Sequence, residues 1–189
     1  MGLRVISGER KGHKLIAPKG KDVRPTEDRI TENLFNILSP LKPEAIVLDL
    51  FGGSGAIGIE FISRGANKAY IVDLSPSSIE IIRENLVKTR LLERSMIINK
   101  DATRALDYLK SMNIKLDYIY LDPPFKNHQL LFKVIHMISS LELLRGEGKL
   151  IVEHETDLLL GDEIVNLEKY DSRKYGSKTL SFYRMREVL

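Results

Sequence analysis

The chain has 189 residues, of which 43% are apolar and 29% charged, and it contains no cysteine. This length and balance predict a globular protein with a single core and exclude a disordered chain. No apolar run approaches the roughly 18 residues of a membrane-spanning helix. The N-terminus also lacks the layout of a secretory signal, so we expect a soluble, cytoplasmic protein without a membrane partner. The absence of cysteine excludes disulfides and thiolate metal sites.

The net charge of +3 is unevenly distributed along the chain. Residues 1–24 hold seven basic and two acidic side chains, a balance of +5, so the remaining residues sum to −2. A basic N-terminal arm on a near-neutral body is the layout expected for a polyanion partner. A solvated surface that keeps the protein soluble would give the same pattern, so charge alone leaves both interpretations open.

The N-terminal region is predicted to contain two short apolar strands, at 3–7 and 13–16, followed by a loop rich in proline and glycine. Thr26 or Asp28 can cap a helix that runs to about Leu38. From Ala45 onward, strands and helices alternate. The predicted strands are 46–50, 69–73, 95–98, 117–121 and 148–152, and the predicted helices are 56–64, 76–90, 102–111 and 126–141.

This alternation predicts an α/β fold, because near-continuous apolar strands separated by amphipathic helices form a parallel sheet covered on both faces. Two further strands, 163–170 and 178–185, flank a Tyr175-Gly176-Ser177 turn and predict an antiparallel hairpin at the sheet edge. We therefore expect a Rossmann-like, mostly parallel sheet of seven strands. We also expect the chain to divide into a basic extension over 1–43, made of a hairpin and a helix, and a main domain over 44–189.

A glycine loop follows the first strand of the alternating region. Residues 47–58 run from a buried strand through Phe51-Gly52-Gly53-Ser54-Gly55 into a helix, and ligands of such sheets bind where the strand ends and the helix begins. Glycines let the backbone approach a ligand without an intervening Cβ. Gly53, Gly55 and Gly58 satisfy the G-x-G-x-x-G fingerprint, which a tight turn without a ligand also satisfies.

Acidic side chains follow three successive strands. Asp49 stands just before the glycines, where its charge disfavours a pyrophosphate and suits a ligand with an ammonium or sulfonium group. Asp73 can accept hydrogen bonds from both hydroxyls of a ribose. Asp101, next to Ala102, can bond an adenine amine, and it can equally cap the following helix. S-adenosylmethionine matches this pattern, whereas a phosphate-loop hydrolase is excluded by the lack of its motif.

The fourth strand ends in Asp122-Pro123-Pro124-Phe125. Two prolines continue neither a ladder nor a helix, so they predict a rigid corner at the C-terminal edge of the sheet. Asp122 and the Pro123 carbonyl can accept two hydrogen bonds from an exocyclic amine, while Phe125 stacks on the ring that bears it. Such acceptors aim the lone pair of the amine at a methyl group and disperse the developing charge. A proline corner with no chemical role would not explain why this corner and the Asp49 loop fall at matching positions at the ends of their strands.

The chain resembles a known enzyme family over essentially its whole length. Residues 122–125 resemble the (D/N)PP(Y/F) motif of amino-methyltransferases, and residues 49–55 resemble their S-adenosylmethionine loop. The N-terminal segments and the late Tyr175-Gly176 are similar to the bacterial 16S ribosomal RNA guanine-N2 methyltransferase family (RsmD-like). The segments that carry this similarity are Arg4-Val5-Ile6-Ser7-Gly8, Gly12-His13-Lys14-Leu15, Arg24-Pro25-Thr26, Asp28-Arg29 and Leu34-Phe35-Asn36.

The resemblance implies a class I methyltransferase fold, S-adenosylmethionine as cofactor, and a guanine of 16S ribosomal RNA, free or in the assembling small subunit, as the methyl acceptor. Residues implied in cofactor binding are Asp49, Phe51, Gly52, Gly53, Gly55, Asp73, Asp101, Ala102, Arg24 and Thr26. Residues implied in catalysis on the flipped guanine are Asp122, Pro123 and Phe125. Residues expected to bind RNA phosphates are Arg4, Arg10, Lys11 and Lys14. One position departs from the pattern: Ser75 stands where the family often has a second acidic residue.

Three alternative functions use the same features. An adenine-N6 or cytosine-N4 DNA methyltransferase would use the same proline corner, but no segment is left for a sizeable target-recognition domain. A non-catalytic RNA-binding or ribosome-assembly module would not need the intact Asp49 and Asp122 motifs. A nicotinamide oxidoreductase is disfavoured by Asp49 and leaves the corner unexplained.

The four histidines predict no metal site, because they lack the spacing of ligands; they are His13, His128, His136 and His154. No apolar stripe demands a partner chain, so the oligomeric state stays unassigned and a monomer is favoured.

Overall fold

The computed structural model describes residues 2–18, 25–124 and 127–186, and the side chains of 25–27 fall outside this description. The helices are α1 (Pro25–Leu38), α2 (Ala56–Ser63), α3 (Pro76–Thr89), α4 (Ala102–Ser111) and α5 (His128–Ser140). The strands are β1 (Ile46–Asp49), β2 (Lys68–Asp73), β3 (Ser95–Asn99), β4 (Leu116–Leu121), β5 (Leu144–Glu155), β6 (Glu163–Ile164), β7 (Leu167–Tyr175) and β8 (Lys178–Met185).

All eight strands form one sheet, in the order β3-β2-β1-β4-β5-β8-β7-β6. The five strands from β3 to β5 are parallel, and β8, β7 and β6 add an antiparallel edge. The chain leaves β1 toward β2 and β3, then returns to β4 on the other side of β1. This reversal creates a crevice at the carboxyl ends of β1 and β4, which is where ligands of doubly wound sheets bind.

The sheet buries apolar side chains on both faces, as its near-continuous apolar strands require. The helices α1, α2 and α3 pack on one face, where Phe35 and Phe61 meet edge to face with ring centroids 4.7 Å apart. The helices α4 and α5 pack on the other face through residues such as Leu106 and Ile135. The predicted α/β class I fold is therefore confirmed.

Residues 2–18, which we call the N-terminal segment, form a less regular hairpin than predicted. The strands expected at 3–7 and 13–16 reduce to a single antiparallel bridge between Arg4 and Lys14, flanked by backbone hydrogen bonds. Val5 and Leu15 are buried in the same apolar cluster as α1 and α2. The division at residue 43 stays a prediction.

The prediction of seven strands is wrong by one. The stretch expected as one strand over 163–170 turns at Val165, whose φ is 54°, so that β6 pairs back onto the start of β7. No glycine or proline marks this turn, which is why the sequence pattern missed it. The predicted hairpin is confirmed, with Tyr175 paired to Lys178. Among the described residues, no helix has the length and apolarity to cross a membrane.

Candidate active site

A cleft of about 1350 Å³ opens at the C-terminal edge of the sheet. The parallel pairing of β1 with β4 brings their carboxyl ends together there. Asp49 of β1 is paired with Tyr120 of β4, two residues before Asp122. Seven of the residues predicted from the sequence line this cleft. They are Phe51, Gly53, Asp73, Asp101, Ala102, Asp122 and Pro123.

The glycine loop adopts a shape that other residues cannot reproduce. Gly55 caps α2 with a φ of 77°, in the left-handed region that disfavours side chains. A Cβ on Gly52 would lie 2.5 Å from Cγ2 of Ile71, so this backbone packs directly on β2. The Asp49 carboxylate accepts the N–H of Gly58 at 3.1 Å and thereby ties β1 to the first turn of α2.

Asp73 holds the other side of the loop. One of its carboxylate oxygens accepts the N–H of Gly53 at 2.8 Å, and the other accepts the N–H of Ser75, also at 2.8 Å. Ser75, which departs from the family pattern, serves as the N-cap of α3. Each carboxylate oxygen has two lone pairs, so Asp73 retains acceptor capacity toward a ligand diol.

Asp101 is the N-cap of α4. Its Oδ1 accepts the backbone N–H of Thr103 at 3.0 Å and of Arg104 at 3.1 Å. The hydrogen bond from the Thr103 hydroxyl is the main cause that lowers the pKa of Asp101. Because Asp101 and Ala102 also line the cleft, the capping role and a contact with a ligand amine are compatible.

Asp49 is a carboxylate almost completely removed from water, with 3% of its surface exposed. Its pKa is raised to about 7, mainly by burial; the hydrogen bond from Gly58 opposes this rise, and the charges of Asp122 and Asp73 add to it. The charges of Asp73 and Asp122 therefore both act on Asp49 at the carboxyl end of β1. This negative site fits a ligand that carries a sulfonium and an ammonium group and opposes a pyrophosphate.

Asp122 also faces a second cavity, of about 880 Å³, on the face of the sheet that carries α1 and α2. We call it the N-terminal cavity, since Leu3, Arg4 and Ile6 of the N-terminal segment form part of its wall. Its floor is formed by Tyr120, Asp122, Glu153 and Lys178 from β4, β5 and β8. Asp122 and Pro18 line both cavities, so the two spaces adjoin at the proline corner.

Sequence reasoning missed the polar floor of the N-terminal cavity. The Tyr120 hydroxyl donates a short hydrogen bond to Oε2 of Glu153, and Lys178 forms an ion pair with Oε1 of the same carboxylate. The only local signals were a tyrosine two residues before Asp122, on the same side of β4, and a charged residue directly after the buried run of β5.

The predicted RNA-binding residues lie on the N-terminal segment. Arg4 lines the N-terminal cavity and lies 3.8 Å from Asp28. Lys11 and Lys14 are exposed, whereas Arg10 is partly buried. Arg24, Phe125 and the side chain of Thr26 lie outside the described residues, so their predicted roles stay predictions.

The histidines have ordinary partners. His154 is buried between the Glu155 carbonyl and the Ser181 hydroxyl, both 2.8 Å away, and burial lowers its pKa. His128 lies 3.0 Å from the Glu155 carboxylate. In the described ranges, no group of three or more histidine or acidic side chains is arranged to hold a metal ion.

Comparisons with known proteins cover almost the whole chain. The family model "Conserved hypothetical protein 95" matches residues 3–184. The chain is 33% identical to the putative rRNA methyltransferase YlbH of Bacillus subtilis, over 97% of this chain and 100% of that protein. It is 32% identical to ribosomal RNA small subunit methyltransferase D of Escherichia coli K12, over 82% of this chain and 76% of that protein.

A solved structure supports the same assignment. The putative methyltransferase yhhF from Escherichia coli matches with a TM-score of 0.84 and 26% identity, covering 97% of this chain and 98% of that one. The family match over residues 3–184 includes all the residues that line the cleft, and the structural match covers almost the whole chain. The chain therefore belongs to the Conserved hypothetical protein 95 family, the RsmD-like family of class I methyltransferases that use S-adenosylmethionine.

Proposed function

We propose that this protein transfers the methyl group of S-adenosylmethionine to the exocyclic N2 of a guanine in 16S ribosomal RNA. The observation that carries the proposal is the position of Asp122, which lines both the cleft and the N-terminal cavity. A single carboxylate is thus open to a methyl donor on one side and to an acceptor base on the other.

The cleft supplies the contacts that the cofactor needs. In this proposal, Asp73 would accept hydrogen bonds from the ribose hydroxyls, and Asp101 and Ala102 would contact the adenine. The backbone of residues 52–55 would contact the methionine portion. The bound cofactor supplies an electrophilic methyl group on a positively charged sulfur. The Asp49 carboxylate, with Asp73 near it, makes the surrounding potential negative when it is ionised and so favours that charge.

The N-terminal cavity supplies a place for the base. The exocyclic amine of guanine is a weak nucleophile, because its lone pair is delocalised into the ring. Asp122 and the Pro123 carbonyl accept hydrogen bonds from its two N–H groups, direct the lone pair toward the methyl group and stabilise the positive charge that develops on nitrogen. As the C–N bond forms, the C–S bond breaks, S-adenosylhomocysteine is the leaving group, and the nitrogen loses one proton to the Asp122 carboxylate. The target guanine leaves its stack to reach this site.

The remaining parts of the proposal concern the substrate. The relatives YlbH and ribosomal RNA small subunit methyltransferase D are named for action on ribosomal RNA. The N-terminal segment and α1 form part of the wall of the N-terminal cavity, and the segment carries exposed Lys11 and Lys14, which suits an RNA-binding extension over residues 1–43. Residues 44–189 carry the methyl-transfer machinery.

The test uses small-subunit particles from cells that lack this protein, so that the target nucleotide is unmodified. The full chain is incubated with these particles and labelled S-adenosylmethionine, and the RNA is digested and its nucleosides identified by mass spectrometry. We expect label in N2-methylguanosine at one position. Label in N6-methyladenosine or N4-methylcytidine, or RNA binding without any transfer, would contradict the proposal.

A further inference from the structure

A buried carboxylate stands beside Asp122 on the floor of the N-terminal cavity. Glu153 is 5% exposed, and its charge is balanced by Lys178. Burial, followed by the charge of Glu153, raises the pKa of Tyr120 well above its usual range, so the Tyr120 hydroxyl keeps its proton and donates a hydrogen bond to Glu153. These two contacts fix the position of the Glu153 carboxylate.

Both contacts leave the carboxylate able to accept another hydrogen bond. Each oxygen has two lone pairs, and the described contacts place one partner on each oxygen. Because Glu153 also lines the N-terminal cavity, this remaining capacity is open to a donor on a ligand. The geometry therefore accommodates a ligand with an N–H at this point.

Strand register places this acceptor next to the proposed amine site. Leu121 of β4 is paired with Val152 of β5, so Asp122 and Glu153 are the next residues along two neighbouring parallel strands. Neighbouring strands lie about 4.8 Å apart. Two acceptors at that separation can converge on two adjacent donors of one base, and guanine carries adjacent donors at N1 and N2.

Resting on the proposed function, we infer that Glu153 is the residue that selects guanine: it accepts the N1–H of the flipped base while Asp122 accepts from N2. Tyr120 and Lys178 are positioning residues that hold the Glu153 carboxylate. Adenine and cytosine also carry an exocyclic amine, but the adjacent ring nitrogen is an acceptor in both. If that nitrogen lay opposite Glu153, its lone pair would face a lone pair of the carboxylate and neither would have a donor. Because buried polar groups without a partner are costly, the site would discriminate strongly against adenine and cytosine.

The base analogue 2-aminopurine tests this inference, because it keeps the 2-amine but has an unprotonated N1. Small-subunit RNA is ligated with guanine or 2-aminopurine at the mapped position and assembled into particles, and kcat/KM for methyl transfer is measured on each. We expect the wild-type protein to prefer guanine by at least about 100-fold, since a site built to hydrogen-bond a substrate N–H can reject an analogue without it by about 10⁴ or more. Equal use of both bases would overturn the inference without any variant.

The substitution Glu153→Gln then assigns the preference to this side chain. An amide can donate to the unprotonated N1, so we expect the rate on guanine to fall and the preference to shrink to about tenfold or less. Binding of S-adenosylmethionine, measured by calorimetric titration, reports that the variant is folded and should be unchanged. Glu147→Gln is the matched control, since Glu147 is exposed at the other end of the same strand.

The outcomes distinguish a failure of the inference about Glu153 from a failure of the proposed function. If Glu153→Gln keeps the wild-type preference, the inference is wrong while the proposed function stands. If the wild-type protein methylates no guanine in natural particles, the proposed function itself has failed. A preference that changes equally in Glu147→Gln would also count against Glu153, because it would show a general effect of charge on the strand.

Discussion

The buried side chain of Asp49 makes the stability of the folded protein depend on pH. Burial raises its pKa from 3.8 to about 7, with the charges of Asp122 and Asp73 acting in the same direction. The folded protein therefore binds this proton more tightly than the unfolded chain does. The stability that this group contributes is fully present below pH 3.8 and is lost as the pH rises through about 7.

We predict that the wild type without cofactor loses free energy of unfolding relative to Asp49→Asn as the pH rises across this window, because the amide cannot ionise. The amide keeps an oxygen that accepts the Gly58 N–H but carries no charge. Urea unfolding at a series of pH values measures the effect, with Asp107→Asn, on the exposed face of α4, as control. Parallel curves for Asp49→Asn and the wild type would show that Asp49 is not the responsible group.

At the scale of elements, Glu60 of α2 holds the N-terminal segment in place. Its carboxylate accepts the N–H groups of Ile6 at 2.8 Å and Ser7 at 3.0 Å, and it forms an ion pair at 2.6 Å with the partly buried Arg64. Because the segment forms a wall of the N-terminal cavity, this carboxylate also shapes the proposed acceptor site.

We expect Glu60→Ala to lower the free energy of unfolding by about 3 kcal/mol, since it leaves two amides and a guanidinium without their partner. Hydrogen exchange of the Ile6 and Ser7 amides should accelerate, while the affinity for S-adenosylmethionine stays close to that of the wild type. The exposed Glu80→Ala on α3 is the control. Unchanged exchange at Ile6 and Ser7 would show that the segment is held by other contacts.

The sequence predicted the parts of the site that local patterns encode. Asp73, Asp101 and Asp122 each stand at or just after the end of an apolar strand, and the carboxyl ends of parallel strands share one edge, so their common cleft could be expected. The Tyr120–Glu153–Lys178 cluster could not, because its members are 33 and 25 residues apart and meet only through the pairing of β4, β5 and β8. Long-range pairing leaves no periodic signal in the sequence.

At the scale of the whole molecule, charge is concentrated where RNA would approach. The N-terminal segment carries exposed Lys11 and Lys14 beside the cavity wall, on the opposite face of the sheet from α4 and α5. In the proposed function these lysines contact phosphates and release counterions, so we expect the affinity for RNA to fall as the salt concentration rises.

We predict that the double substitution Lys11→Gln and Lys14→Gln weakens binding to small-subunit RNA and reduces the slope of log K against log salt by about 1 to 2. Fluorescence anisotropy over a salt series gives both quantities. Lys110→Gln with Lys133→Gln, exposed on α4 and α5, is a control of equal charge change. An unaltered slope in the Lys11 and Lys14 variant would remove the segment from the interface.

The most direct measurement of the central claim, that Asp122 serves the acceptor base rather than the cofactor, combines transfer and binding in the variant Asp122→Ala. We predict that kcat for methyl transfer falls by about 100-fold or more, as for the loss of a group that stabilises developing charge, while the affinity for S-adenosylmethionine is retained. Asp122→Asn keeps one acceptor oxygen and should lose less. Normal turnover in Asp122→Ala, or a loss of cofactor affinity that accounts for the whole loss of transfer, would contradict the account.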